Sequence, residues 1–355
     1  MPDSSVVLPA GELTEFVRAI CEAACIPPES ARLVAECLVE ANLRGVDTHG
    51  IQLLPYYIEQ LLHGDMDPKS SGRVVSENGC CLVYDGENGV GQVISEICCG
   101  HAVRLARQYG IGMVTAREAN HFGATACWGK RISREGMIGI VMCTASPQVP
   151  PWQGKETRFG TNPICVSVPG SDTWLLDMAT TTVAQGKILK AFINDEPSIP
   201  AGWAMDAEGV PTTDPAVAMK GLLMPLGGYK GSGLAFMVEV LCAVLSGGAI
   251  DGRGGIRLRG THTRVSYMFL AIDVARFMPV EEFDARMQHL VRHVKSAAPA
   301  SGYSEVLVAG EPEWRTEAIR RETGIPIQSG TWAKLVSAAE SVGVPPPDAP
   351  RATPS

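Results

Sequence analysis

The chain contains no G-x-G-x-x-G string and no G-x-x-x-x-G-K-[ST] string. These are the two patterns by which a strand, a glycine turn and a helix N-terminus most often cradle a nucleotide phosphate. Their absence argues against an ordinary dinucleotide fold and against a phosphate-loop enzyme. Charge is also sparse, at 19% of residues, and 30 Lys plus Arg against 38 Asp plus Glu leave a net charge of −8 with no basic stripe. Nucleic acid is therefore not an expected partner. No stretch reaches about 18 uninterrupted apolar residues, so no membrane span is expected. The opening "MPDSSVVLPAGELTEF" has neither a cationic nor a continuous apolar region of the signal type, which predicts a cytoplasmic location. The eleven cysteines are odd in number and include the neighbours Cys80/Cys81 and Cys98/Cys99, without a zinc-type CxxC pair. They read as reduced, mostly buried thiols.

What is present is a folded chain of 355 residues, 45% apolar, long enough for two or three subdomains. Helical spacing runs through "LTEFVRAICEAA" and "SARLVAECLVEANLRG", with Pro27, Pro28 and Ser30 marking a break and a new N-cap. A third helix, "LLPYYIEQLLHG", ends at Gly64, and "RVVSENGCCLVYDG" reads as a hairpin around Asn78-Gly79. The helix "GQVISEICCGHAVRLARQYG" leads into the strand "IGMVTAREAN". Short strands follow in "MIGIVMCTA", "NPICVSVPG" and "WLLDMATTTV", a spacing that predicts a mixed or largely antiparallel sheet. Residues 197 to 228 read as a long Pro/Gly-rich loop, and "GSGLAFMVEVLCAVLSGG" as a helix buried on most sides. A strand, "YMFLAIDV", and two helices close the chain. The expected organisation is a helical N-terminal subdomain (1–72), a sheet domain (73–255), sheet completion with C-terminal helices (256–342) and a disordered tail (343–355).

The nearest thing to a phosphate cradle is "GGYKGSG", a glycine turn carrying Lys230 and opening a helix. Of the seven histidines, His63, His289 and His293 sit at polar helix positions and read as solvated. His101 falls on an amphipathic helix, and His262 in a loop. His49, in "RGVDTHGIQLL", and His121, in "EANHFGATACWG", instead sit at junctions of the kind that face a cleft. A neutral imidazole held by a hydroxyl or carboxylate is the usual general acid or base. Neither histidine has HxxxH or HExxH spacing, so no metal is expected. Pattern alone does not separate the two as the proton carrier.

Six strings in order carry a resemblance: "DTHGIQLLPYY", "NHFGATACWG", "GTNPICVSVPG", "LLDMATTTVAQGK", "GWAMDAEGVPTTDP" and "PLGGYKGSGLAFMVEVL". From about residue 8 to about 340 the chain resembles the malate/L-lactate dehydrogenase family, the NAD(P)-dependent group unrelated to the Rossmann-type lactate and malate enzymes. The resemblance implies an α/β fold of α+β type, with a mainly antiparallel central sheet flanked by helices. It also implies a homodimer, NAD or NADP as cofactor, and a small-molecule substrate. His49 matches the histidine of the family's Ser-His-Gly motif, its proton donor, with Thr48 in place of the serine. Asp177 matches a residue that orients the imidazole or contacts the cofactor, and His121 a histidine with an acid/base role in some members. Ala145, Thr161, Asn162, Met178, Ala179, Lys230, Gly310 and Glu311 match cofactor positions, as do His121 and Asp177. Gln52, Leu53 and Tyr57 match the substrate side. Leu53 stands where many members have an arginine suited to a substrate carboxylate, which leaves Arg158, Arg257, Arg259 or Arg264 to take that role, or a different substrate.

The expected reaction is hydride transfer between a nicotinamide and a small 2-oxo/2-hydroxy acid. The alternatives are reduction of a cyclic 2-imino acid of the piperideine or pyrroline type, and a catalytically inert binding protein.

Overall fold

The structure is a computed structural model that describes residues 6–170, 174–193, 195–250 and 262–347. In chain order the elements open with β1 (Val6–Leu8), α1 (Ala10–Ala23), α2 (Pro28–Leu43) and α3 (Leu54–His63). The hairpin β2 (Arg73–Asn78) and β3 (Cys81–Asp85) precedes α4 (Gly91–Tyr109), β4 (Ile111–Ala119) and α5 (Thr125–Ser133). Then come β5 (Met137–Cys143), β6 (Ile164–Ser167), β7 (Leu175–Met178) and α6 (Gln185–Ile193). A small lobe holds β8 (Ala204–Met205), β9 (Pro211–Thr212), α7 (Pro215–Ala218) and β10 (Leu222–Leu223). The chain continues through α8 (Tyr229–Glu239), β11 (Val265–Asp273), α9 (Val280–Lys295), α10 (Glu311–Thr323), β12 (Ile325–Ile327) and α11 (Ser329–Ser341).

The central sheet has seven strands in the order β2-β3-β4-β11-β5-β6-β7. Only β3 and β4 run parallel, joined by α4 as their crossover. β11 arrives from far along the chain and inserts between β4 and β5, antiparallel to both. This is the mixed, mainly antiparallel sheet expected. Its α4/α5 face buries Val114, Val141, Phe122, Trp128, Tyr267 and Phe269 in one cluster. Each such large side chain contributes roughly 1.5–3 kcal/mol by leaving water. The other face packs Met142 and Met268 against Val238 and Cys242, the latter in the π-helical turn Val240–Val244 that continues α8.

A separate core joins the two ends of the chain. β1 pairs antiparallel with β12, and α1, α2 and α3 share their apolar faces with Ile325, Ile327, Leu335 and Ala339. Val344 packs against the same cluster, whereas residues 348–355 of the expected tail lie outside the described residues.

Three local expectations are corrected. Pro27, not Ser30, is the N-cap of α2, and Pro28 takes the first helical position that its missing N–H suits. The 197–228 segment folds around the β10-β8-β9 sheet and its own apolar cluster, because Ile199, Ala204, Ala218 and Leu223 meet Val183 and Ile188 across α6. Finally, α8 is not buried on most sides: Phe236 is 61% and Leu245 53% exposed.

Candidate active site

His49 lies in a tight passage between α2 and α3. After Gly45, Asp47–His49 form one 3-10 turn, Gly50 follows, and Ile51–Leu53 form a second turn before α3. Asn42, buried at the end of α2, clamps this passage from within. Its Nδ2 donates to Asp47 Oδ1 at 2.6 Å and its Oδ1 accepts the Ile51 N–H at 2.8 Å. A Cβ on Gly50 would lie 2.0 Å from Asn42 Oδ1, so only glycine fits between motif and clamp. Arg320 closes the other side from α10, donating to Asp47 Oδ1 at 2.7 Å, to Asp47 Oδ2 at 3.1 Å and to the Asn42 carbonyl. This is the two-pronged guanidinium–carboxylate geometry that fixes orientation as well as distance. Asp47 sits inside the motif, but sequence reasoning passed over its role because its partner is 273 residues away.

His121 lies at the end of β4, in a junction held from several sides. Asn120 is fully buried and donates to the Asn88 and Gly89 carbonyls at 2.9 Å each, while Tyr267 donates its hydroxyl to the Asn120 carbonyl. Phe122 packs edge-on against Trp128 and Tyr267, and Trp128 Nε1 donates to the Phe122 carbonyl at 3.2 Å. The junction thus brings His121 beside His49, rings stacked with centroids 5.9 Å apart.

The partners of the two rings differ in kind. Thr48 Oγ1 lies 3.0 Å from His49 Nδ1. A hydroxyl either donates or accepts, so it can accompany His49 in both protonation states. His121 Nδ1 instead receives the Gly123 backbone N–H at 3.2 Å and the Tyr57 hydroxyl at 2.7 Å, with Gln92 Nε2 donating to that hydroxyl at 3.4 Å. A backbone N–H can only donate. Nδ1 is therefore a lone-pair site, the neutral ring carries its proton on Nε2, and the imidazolium is disfavoured. Electrostatics agree: burial, with repulsion from His49 second, pushes His121 down to about 3, and burial also lowers His49.

Asp177, on β7, was expected to orient an imidazole or contact the cofactor. One oxygen of its carboxylate, Oδ2, accepts the Ala126 N–H at the start of α5 at 2.7 Å. The Asp177 side chain keeps solvent exposure, although protein crowds its carboxylate. Burial pushes it up to about 6, against the opposing pull of the Ala126 N–H and the Arg44 guanidinium. Arg44, buried at the end of α2, is a cation that sequence reasoning missed. Its Nε has no hydrogen-bond partner among the described residues.

The other residues expected to contact a cofactor lie near the same edge of the sheet. Thr161 accepts the Thr180 N–H at 2.8 Å through its carbonyl, and Leu226 donates to the Thr180 carbonyl at 2.9 Å. Lys230 at the N-terminus of α8 is thereby carried to the segment that follows Met178 and Ala179, which are half-buried. α8 begins after Gly228 without a side-chain cap. Asn162 is fully buried, with its amide occupied: it accepts the Ala145 N–H at 3.0 Å and donates to the Ala235 carbonyl at 3.1 Å and Glu239 at 2.9 Å. Gly310 has a φ of +92° and precedes α10, and the Glu311 carboxylate is taken up by Lys295, Arg315 and the Val308 N–H. The polar groups of Asn162 and Glu311 are thus held by partners within the chain.

On the substrate side, Leu53 packs in the N-terminal helical core, 9% exposed, so it does not line the cleft as expected. Tyr57 is buried and spends its hydroxyl on His121, while Gln52 is half-buried. Of the cations considered for a carboxylate, Arg158 pairs with Glu156 and Arg264 with Glu118, the latter at 2.8 Å, whereas Arg257 and Arg259 lie outside the described residues. His63, His262, His289 and His293 are exposed. Among the described residues, no three His, Cys, Asp or Glu side chains are grouped to hold a metal ion.

Comparison with known proteins agrees with this fold over nearly the whole chain. The malate/L-lactate dehydrogenase family model matches residues 8–336. L-sulfolactate dehydrogenase of Methanocaldococcus jannaschii is 37% identical over 325 residues, 90% of this chain and 92% of that protein. Malate dehydrogenase of Pyrococcus horikoshii is 34% identical over 354 residues, 96% of this chain and 97% of that protein. The solved sulfolactate dehydrogenase of M. jannaschii superposes with a TM-score of 0.90, at 34% identity, covering 96% of this chain and 98% of its own. The paired histidine junctions, the mixed sheet and these matches identify the chain as an oxidoreductase belonging to the malate/L-lactate dehydrogenase family.

Proposed function

We propose that the protein is an NAD- or NADP-dependent dehydrogenase that interconverts a small 2-hydroxy acid and its 2-oxo acid. The named activities of the relatives, sulfolactate and malate dehydrogenases, support that substrate class. The chain's own residues fit a dinucleotide in two respects: the uncapped start of α8 beside Lys230 suits a phosphate, and Asp177 has an oxygen left for a hydrogen-bond donor. Such a cofactor, when bound, supplies the hydride acceptor or donor.

The observation that carries the reading is the difference between the two imidazole partners. His49 is the proton carrier, because Thr48 can follow it through protonation and release. His121 stays neutral and offers Nε2–H to the substrate oxygen, stabilising the negative charge that grows there during reduction. Neutral imidazole as a hydrogen-bonding electrophile is a known device for polarising a carbonyl. Tyr57 and Gly123 position that ring by occupying its other nitrogen. Within the same reading the enzyme is a homodimer, supported by the apolar side chains that α8 and its continuation leave outward, Phe236, Val244 and Leu245. A monomer in sedimentation would remove that part.

The test compares His49→Ala with His121→Ala across pH. Loss of an acid/base group costs about 10²- to 10⁴-fold in turnover. His49→Ala should lose at least about 100-fold and erase the ionisation that lies below the usual histidine value, with dinucleotide binding retained. His121→Ala should slow the reaction but keep that ionisation. The opposite pattern would transfer the proton to His121.

A further inference from the structure

Two thiols that the proposed reaction does not use face each other beneath the site. Cys37 on α2 and Cys127 on α5 are 90 residues apart in sequence, and their sulfurs are 3.2 Å apart, with Cys127 donating to Cys37. Arg131 donates to the Cys37 sulfur at 3.4 Å through Nη2. A neighbouring thiol S–H and a guanidinium both favour the thiolate of the sulfur they approach. On the other side, the Glu40 carboxylate lies 3.7 Å from the Cys127 sulfur. The contact with Cys37, burial and Glu40 all push the Cys127 thiol up. The two sulfurs are thus unequal in their contacts: Cys37 accepts from both Cys127 and Arg131, whereas Cys127 donates. The sulfurs of the neighbours Cys80, half-buried, and Cys81, exposed, are farther apart at 3.9 Å.

We propose that Cys37 and Cys127 form a redox-active pair which a peroxide converts into an intramolecular disulfide joining α2 to α5. The approach lies through Arg131, which lines a surface hollow of about 630 Å³ with Glu96 and Cys99 and reaches inward to Cys37. The Cys37 thiolate attacks one peroxide oxygen, the O–O bond breaks, and the departing hydroxide takes a proton to leave as water. The resulting sulfenic acid is attacked by the Cys127 sulfur, the S–O bond breaks, and a second water leaves with the Cys127 proton. Two thiols lose two electrons, and hydrogen peroxide becomes two waters.

The bond requires the sulfurs to close from 3.2 Å to about 2.05 Å, which draws the first turn of α5 toward α2. Ala126, next to Cys127 in that turn, gives its N–H to Asp177. Oxidation is therefore felt in the cleft.

The experiment treats the full chain with hydrogen peroxide under native conditions, alkylates remaining thiols and maps tryptic peptides by mass. The expected product joins peptide 33–44 to peptide 118–130 with the loss of two hydrogens. Turnover should fall by about tenfold or more, as small displacements at a reacting centre do, and a dithiol should restore it. Cys37→Ser should give no cross-link and keep its turnover in peroxide. Cys127→Ser should leave Cys37 to oxidise past the sulfenic stage, so that the dithiol no longer restores its state. Repeating the treatment in Cys25→Ser/Cys80→Ser/Cys81→Ser removes the exposed and half-buried competing thiols Cys25, Cys80 and Cys81. Recovery of Cys37 and Cys127 as alkylated thiols after treatment would refute the proposal. A cross-link without change in turnover would refute its link to Asp177. The peptide map is independent of the substrate assigned above, so the two readings fail separately.

Discussion

Replacing Arg320 by alanine tests whether helix α10 holds the Asp47–His49 turn in place. Arg320 is 15% exposed in its side chain and bridges both Asp47 oxygens and the Asn42 carbonyl. Hydrogen bonds to charged groups contribute about 1.5–3 kcal/mol each when well buried. Asp47, however, is 44% exposed, and solvent screening reduces the pair. A loss of about 1–2 kcal/mol is expected, a lowering of melting temperature of roughly 1–3 °C. The catalytic effect should be larger than this modest destabilisation suggests. Asp47 is left with only Asn42, the 3-10 turn loosens, and a displacement of about 1 Å at His49 can cost up to about 100-fold in turnover. Turnover, the Michaelis constant for the cofactor and the pH profile would be measured together, with free guanidinium added to the alanine variant. The expectation is a fall in kcat with cofactor affinity kept, a displaced His49 ionisation, and partial recovery by guanidinium. An alanine variant that melts earlier but turns over with unchanged kcat and pH profile would refute the positioning role.

Acid should destabilise the protein through His121. Its folded value near 3 lies below the ordinary 6.5, so the unfolded chain binds more protons between these values. The stabilising contribution is present above 6.5 and is lost as pH falls toward 3, by at most about 5 kcal/mol. Asp177, raised to about 6, works in the opposite sense between its ordinary value and 6. Urea unfolding at pH 7.5 and 4.5 should show a steeper acid loss in wild type than in His121→Gln, and equal slopes would contradict the assignment. Gly50→Ala places a Cβ 2.0 Å from Asn42 Oδ1, an overpacking that costs about 1–3 kcal/mol and breaks the clamp on Ile51. Turnover should be nearly lost, and wild-type rate with wild-type melting would show that the loop can relax.

Much of this was legible because local chemistry leaves local marks. Gly64 and Gly110 end their helices in the left-handed region, Asn78-Gly79 turns its hairpin, and both histidines stand at the junctions where the pattern put them. The missing parts are contacts across long stretches of chain. Nothing near residue 57 announces a hydroxyl bound for His121, 64 positions away. Likewise, Leu53 could not be assigned to core or cleft from its neighbours, because the choice depends on how α3 and α11 meet. The apolar run of α8 indicated a helix but not which side would be covered. The 197–228 segment seemed structureless because its strands are two residues long, too short to display a period.

Helix α10 spans Glu311 to Thr323, a rod of about 20 Å. One end carries the Gly310 turn beside β7 and the other carries Arg320. Arg320 lies about 15 Å along it from Gly310, so a tilt of about 5° at that turn moves the guanidinium's anchor by about 1.3 Å. Any ligand that reseats the Gly310 end will therefore reset the grip on Asp47, and His49, two residues later, moves with it.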